Sequence, residues 1–340
     1  MFAPTQSKIT RIITLEEHFA TRSFMAGPGR QLGERPPAER GSSPMDERMA
    51  GVIDRLCDLG EGRIGEMDTA GITLQVLSLN SPGVEQLDAV TAKVLAHEIN
   101  DDLSDAVKRH PDRLAGFATL PTGDPQAAAI ELDRCVRLLG VKGAAINGHA
   151  QGRYLDDPFF WPILECAEAL GVPVYLHPTL PPEAVFQASY KGNYSPEVAS
   201  QLARAAWGWH IETATHVLRI ILSGALDRYP GLQLIIGHMG EGLPFMLPRL
   251  DLTLPQALTK LARPIGAYLR ENLNYTFSGF NFMATFLDLL LQVGAERILF
   301  SADYPYASMA QSRAFLEQIP VSDADRARIA HGNAERLLRL

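Results

Sequence analysis

The sequence lacks the marks of a nucleic-acid or membrane partner. Its 31 lysines and arginines are outnumbered by 39 aspartates and glutamates, and no basic cluster or stripe is present, so the electrostatic footprint of a nucleic-acid binder is missing. No apolar run reaches the roughly 20 residues that a spanning helix needs. Ile220–Leu226 is apolar but short, and reads as part of a buried helix. No Gly-x-Gly-x-x-Gly or P-loop pattern follows an early strand, which disfavours the nucleotide-binding sheet folds. There are three cysteines, Cys57, Cys135 and Cys166, and no Cys-x-x-Cys pair. They fit reduced thiols, so a cytoplasmic protein is expected. No apolar leader with a cleavage site is seen at the N-terminus, so no secretion signal is expected.

What is present is a repeated form. Four apolar runs each end in a ligand-type side chain: Arg11–His18 in Glu16 and His18, Val172–His177 in His177, Leu232–His238 in His238, and Arg297–Asp303 in Asp303. The run from Leu232 continues into a glycine-studded loop carrying Glu241. Four other apolar runs, near 74–79, 114–120, 143–147 and 272–278, have strand character. Helical periodicity separates them, at Arg55–Ala70, Ala89–Arg109, 125–139, Pro158–Leu170, Ser200–Leu226, Leu243–Leu269 and 284–292. Interruptions are expected at Pro248 and Pro264, and a closing helix over Asp323–Leu338 with Ser322 as its cap. Eight strand–helix units predict an α/β chain folded as a (β/α)8 TIM barrel, in one domain over 1–340. A long loop is expected after strand 1, over 21–50, where Pro36-Pro37 and Gly41–Pro44 are turn material. A long insertion is expected after strand 5, from Pro178 to about Tyr229. In a parallel barrel all the strand C-termini open on one mouth, which would gather these ligands there.

The residue types fix the chemistry that is open to such a mouth. Alternation along strand 1 puts Glu16 and His18 on one side and Glu17 on the other. Carboxylate and imidazole together suit Zn²⁺ or Mn²⁺, with Mg²⁺ also within range. His177 is a third ligand candidate. Asp303 has three open roles, as ligand, as general acid/base, or as a helix cap. His238 fits a ligand, a polarising group or a proton shuttle. Glu241 fits either an orienting partner of His238 or a helix cap. Strand 4, Ala144–Asn147, carries no lysine to bridge two ions, so one metal ion is expected.

Several segments resemble a known family. Leu15-Glu-Glu-His-Phe19, Leu176-His-Pro178, Gly237–Pro244 and Phe300-Ser-Ala-Asp-Tyr-Pro305 are similar to the amidohydrolase-superfamily branch of aminocarboxymuconate-semialdehyde decarboxylase. Within that branch they resemble the γ-resorcylate and 2,3-dihydroxybenzoate decarboxylases most. The resemblance implies one divalent metal held by Glu16, His18, His177 and Asp303. It implies non-oxidative decarboxylation of an aromatic acid with an ortho hydroxyl, with His238 beside the substrate and Glu241 supporting it. It further implies that Arg249 reaches a neighbouring subunit's site in a homodimer or homotetramer.

For such a small aromatic acid, Asp303 is the expected proton donor to the ring carbon bearing the carboxylate. Phe19, Phe24, Phe186, Tyr190, Phe280 and Tyr304 are expected to supply aromatic pocket wall, and Asn281 a polar contact. Trp207 and His210 either cover the site or pack a helix. The competing function is a metal-dependent hydrolase of the same superfamily, acting on a lactone, amide or C–C bond.

Overall fold

Short aliphatic runs with no polar face form strands that are buried on both sides. Here each such run is a strand of one parallel ring. The computed structural model describes residues 10–30 and 44–340. The strands are β1 (Ile13–Phe19), β2 (Leu74–Leu79), β3 in two pieces (Leu114–Gly116 and Ala118–Thr119), β4 (Ala144–Asn147), β5 (Val174–His177), β6 (Leu234–Ile236), β7 (Leu273–Thr276) and β8 (Ile298–Leu299). Neighbours in chain order pair in parallel, with a break in the ladder at Phe117. There Phe117 N–H donates to Leu77 O at 2.9 Å, while Ala118 N–H donates to Gly143 O at 2.8 Å, so β3 passes from β2 to β4. The ring closes where Leu15 N–H donates to Phe300 O at 3.1 Å and Leu15 bridges Ser301 in parallel. The architecture is the expected (β/α)8 barrel.

Alternation divides the core into two shells. Ile13, Leu15, Val76, Phe117, Ala145, Tyr175, Ile235 and Leu299 form a buried cluster inside the ring. Their neighbours in sequence, such as Val174, Leu176, Leu234 and Ile236, pack outward against the helices in a larger cluster. The helix boundaries have local causes. Asp88 caps Ala89–Arg109 by accepting from Val90 and Thr91 N–H, and Asp124 caps Pro125–Leu139, with Pro125 in its first turn. Left-handed Gly71, Gly140 and Gly171 end three helices.

Several expectations need correction. The segment after β1 is not loop throughout: Arg22–Ala26 and Pro44–Cys57 are helical, and Pro44 opens the second as proline can. The stretch 31–43, with Pro36 and Pro37, lies outside the described residues. The expected helix Arg55–Ala70 is two helices, because the Asp58 carboxylate accepts from Gly60 and Arg63 N–H and starts Glu61–Ala70 afresh. The long insertion after β5 carries helices at Pro196–Ala203, Gly208–Leu222 and Ala225–Arg228, where one helix was expected. Pro248 lies inside the helix Leu243–Thr253 and does not end it. Met309–Gln318, capped by Ser308, is a helix the periodicity did not indicate. The closing helix is interrupted by a π-turn at Arg328–Gly332. Among the described residues no helix is long and apolar enough to cross a membrane.

Candidate metal centre and active site

Strict alternation from Ile13 and Leu15 would carry Glu17 into the ring. A bulge prevents this. The β1–β2 register shifts between Thr14 and Glu17, and Glu16 takes a left-handed φ of 60°. An extra residue reverses the phase of a strand, so Glu16 and His18 turn toward the mouth. Glu17 turns the other way, where its carboxylate accepts from Ala302 N–H at 2.8 Å and Tyr304 N–H at 3.1 Å.

Glu16 is the centre of the site. Its Oε2 accepts from the hydroxyls of Tyr175, Ser278 and Thr276, the last at 3.1 Å. Its Oε1 is buried and has no hydrogen-bond partner among the described residues. That oxygen lies 3.5 Å from His177 Nε2 and 3.8 Å from His238 Nε2. One ligand atom each from Glu16, His18 and His177 fall within 4.8 Å of one another. β4 and β5 align Asn147 with His177, and His177 Nδ1–H donates to Asn147 Oδ1 at 3.0 Å. His177 Nε2 is thereby left as an acceptor facing Glu16. Two imidazoles and one anchored carboxylate with a spare oxygen are a fitting donor set for a single divalent first-row ion.

Asp303 follows β8, with Oδ1 3.3 Å from His18 Nε2. On the far side of Glu16 lies a second cluster. Glu241 bridges two imidazoles, with Oε1 2.7 Å from His238 Nδ1 and Oε2 2.5 Å from His210 Nδ1. The Phe280 ring packs edge-on against both histidines, at 5.1 and 5.2 Å. A cleft of about 1210 Å³, lined by Gly279, Asn281, Tyr304 and Tyr306 among others, opens beside the loop that carries Asp303.

Burial and mutual charge sort the protonation states. Burial holds the His18 imidazole down at about 4 and His177 at about 3, so both present neutral lone pairs. Burial also opposes charging of His238, but Glu241 and Glu16 overcome it and lift His238 to about 10. Glu241, opposed by burial but paired with His238 and His210, falls to about 2. Burial and the Glu16 charge push the Asp303 carboxyl well above the usual carboxylate range. Burial opposes ionisation of Glu16 as well, but the facing His238 imidazolium leads the interactions that hold its carboxyl below the ordinary value. The mouth thus holds an ion pair, two neutral imidazoles and a carboxyl biased toward its acid form within a few ångströms.

The profile of a family described as Amidohydrolase matches residues 54–340. The chain belongs to the amidohydrolase family. It is 38% identical over 343 residues to a γ-resorcylate decarboxylase of Polaromonas sp., covering 96% of this chain and 98% of that one. A crystal structure of a dihydroxybenzoic acid decarboxylase from Polaromonas sp., with bound manganese and the inhibitor 2-nitroresorcinol, superposes with a TM-score of 0.86 at 37% identity over 97% of both chains. A 5-carboxyvanillate decarboxylase from Novosphingobium aromaticivorans, with manganese and 3-methoxy-4-hydroxy-5-nitrobenzoic acid, gives a TM-score of 0.89 at 33% identity over 99% of both. The aminocarboxymuconate-semialdehyde decarboxylase of Dictyostelium discoideum matches at 26% identity over 77% of this chain. These are the activities of the branch suggested by the sequence motifs.

In this amidohydrolase the aromatic residues named from sequence divide into two groups. Phe280 stands at the mouth, and half-buried Phe186 lies on the insertion after β5. Phe19 and Phe24 are fully buried in the outer shell, because the β1 bulge sends Phe19 outward with Glu17. Tyr190 is buried and accepts from the Tyr194 hydroxyl through its carbonyl. Tyr304 points outward, its hydroxyl on Glu66 and the Arg63 guanidinium 4.7 Å over its ring. Two residues further on, Tyr306 sets its ring 5.8 Å from His18 and its hydroxyl on Asn80 at 2.7 Å. Asn281 Nδ2–H donates to Ser312, and its Oδ1 is buried without a partner. Arg249 is exposed on the helix Leu243–Thr253. Trp207 is exposed and Gly208 begins the next helix, while His210 joins Glu241. Sequence reasoning missed Tyr175, Thr276 and Ser278. Tyr175 was within reach, since it shares the inward face of β5 with His177.

Proposed function

We propose that this chain is a metal-dependent, non-oxidative decarboxylase of an aromatic acid with a hydroxyl ortho to the carboxylate. One observation carries the proposal: Glu16 Oε1 is buried, lacks a partner, and faces the imidazoles of His177 and His238 in a barrel whose relatives bind manganese. Glu16, His18 and His177 would hold one divalent ion, with the Asp303 carboxyl beside His18. When bound, that ion supplies Lewis acidity and a template for neighbouring oxygens. Expulsion of CO2 from an aryl carboxylate leaves an unstable aryl anion, so the ring carbon must take a proton first. Asp303 delivers that proton to the carbon bearing the carboxylate. The bond to the carboxylate then breaks, its electron pair restores the aromatic ring, and CO2 leaves. The imidazolium of His238, held by Glu241 and His210, supplies positive charge for the substrate carboxylate, and the Phe280 ring supplies a wall for its aromatic face.

The site draws on residues from Glu16 to Asp303, so the proposal treats the chain as one catalytic domain. It extends to a homodimer or homotetramer. Phe245, Leu252 and Leu291 are 76, 72 and 84% exposed on two helices that pack together, Leu243–Thr253 and Met283–Val293, large apolar side chains that a partner subunit would cover. Arg249 lies on the first of these helices. Light scattering would then give two or four times the chain mass of 37.2 kDa. Cys57, Cys135 and Cys166 are all free thiols, which favours the cytoplasm.

The test is a panel of acids, 2,6-dihydroxybenzoate, 2,3-dihydroxybenzoate and 5-carboxyvanillate, given to manganese-loaded protein in ¹⁸O-water. Release of CO2 with the matching phenol, and no ¹⁸O in that phenol, is expected. Hydrolysis of a lactone, amide or C–C bond without any CO2 release would replace this function with the hydrolase reading.

A further inference from the structure

Two ionisable side chains are fully buried beside the site without facing it. Glu17 and Arg63 are both 0% exposed, and ionisable groups buried so deeply are rare unless their hydrogen bonds are well satisfied. Glu17 devotes one oxygen to Ala302 N–H and the other to Tyr304 N–H, the amides on either side of Asp303. Arg63 donates to His18 O at 2.7 Å, to Asp58 O at 2.8 Å and to Gln75 Oε1 at 3.1 Å, and its guanidinium covers the Tyr304 ring. These contacts converge on the seam between β1 and the end of β8, which regular pairing joins only sparsely. Beyond the Leu15 bridge, the seam has His18 N–H donating to Tyr304 O at 2.8 Å.

Asp303 needs such a seam. It sits at a left-handed φ of 65°, a conformation that a non-glycine residue keeps only when its surroundings impose it. Its own carbonyl accepts from Tyr306 and Ala307 N–H at 2.8 and 2.9 Å. Among the described residues, the amides before and after it have only the Glu17 carboxylate as partner. We propose that Glu17 and Arg63 are positioning residues: Glu17 clasps the backbone on both sides of Asp303, and Arg63 fixes the facing carbonyl of His18 and the ring of Tyr304, so that the Asp303 carboxyl is held in register with the metal centre. The inference rests on Asp303 being the proton donor. Neither side chain touches substrate or metal. An acid displaced by about 1 Å loses rate by up to roughly 100-fold, without a matching loss of binding.

The experiment compares Glu17→Gln and Glu17→Asp with the parent enzyme. All are loaded with manganese and assayed with whichever acid of the panel above is turned over fastest. Gln sets an N–H donor against one of the two amides. Asp keeps the carboxyl group but shortens the reach. In both, kcat is expected to fall about 10- to 100-fold while KM and bound manganese stay at the parent values. Arg63→Lys is expected to give the same split to a smaller degree. Parental kcat in both Glu17 variants would overturn the proposal. So would a loss of kcat matched by loss of manganese, or failure of both variants to fold, since the carboxylate would then serve the barrel alone. Asp303→Asn, run alongside, separates the two claims. If Asp303→Asn turns over normally, the acid assignment fails. If it is inactive and the Glu17 variants are fully active, only the positioning role fails.

Discussion

Asn147 Oδ1 accepts a hydrogen bond from His177 Nδ1–H at 3.0 Å, across two strands whose register sets the residues side by side. The bond fixes one tautomer of His177 and aims its Nε2 at Glu16. Such partners of a ligating histidine typically change metal affinity by about 10- to 100-fold when removed. Asn147→Ala is therefore expected to weaken manganese binding by about that factor, read by calorimetry on the metal-free protein.

Gly237 has no room for a methyl group. A Cβ there would stand 2.6 Å from Glu16 Oε2 and 2.9 Å from Oε1. Gly237→Ala should push the Glu16 carboxylate off its three hydroxyl partners. Manganese affinity should fall with little change in the far-ultraviolet dichroism of the barrel.

Asp303→Asn keeps the shape of the side chain and removes its acidic proton. Turnover should be abolished while manganese remains bound, since Glu16, His18 and His177 are intact. Stopped-flow detection of CO2 with parallel metal analysis measures both.

Glu85 gives the barrel a pH dependence away from the metal. Its Oε1 accepts from Asn147 N–H at 2.7 Å, and burial pushes its carboxyl from the ordinary 4.5 up to about 7. Because the folded value is the higher one, the folded state binds the extra proton, and the stability this lends is full below 4.5 and is lost as pH rises through 7. Glu85→Gln should remove that loss. Between pH 5 and pH 8 the parent should lose on the order of 2–3 kcal/mol more than the variant in urea unfolding.

Much of this was legible in the sequence because a parallel barrel couples strand order to site position. Once eight apolar runs were found, the residues ending them had to meet, and Glu16, His18, His177, His238 and Asp303 do lie in one mouth. The bulge in β1 was not legible. Alternation grouped Glu16 with His18 correctly, yet the inward phase set by Ile13 and Leu15 would have chosen Glu17, and only the left-handed turn at Glu16 reverses it. The same reversal sends Phe19 into the outer shell. Phe24 packs into the outer shell for a related reason, since an aromatic residue after a strand fills either a pocket or the space under a helix, and hydropathy does not separate the two. The triple hydroxyl anchor of Glu16 was hidden as well. Tyr175, Thr276 and Ser278 come from two strands about 100 residues apart, and none stands out alone in the sequence.

The most direct test of the account is manganese stoichiometry in the parent protein and in His177→Ala, each measured together with CO2 release from the preferred hydroxybenzoate. The account predicts one tightly held ion per chain in the parent, strongly weakened binding in the variant, and decarboxylation that follows the bound ion. Full decarboxylation by protein stripped of metal, or unchanged binding after loss of His177, would contradict it.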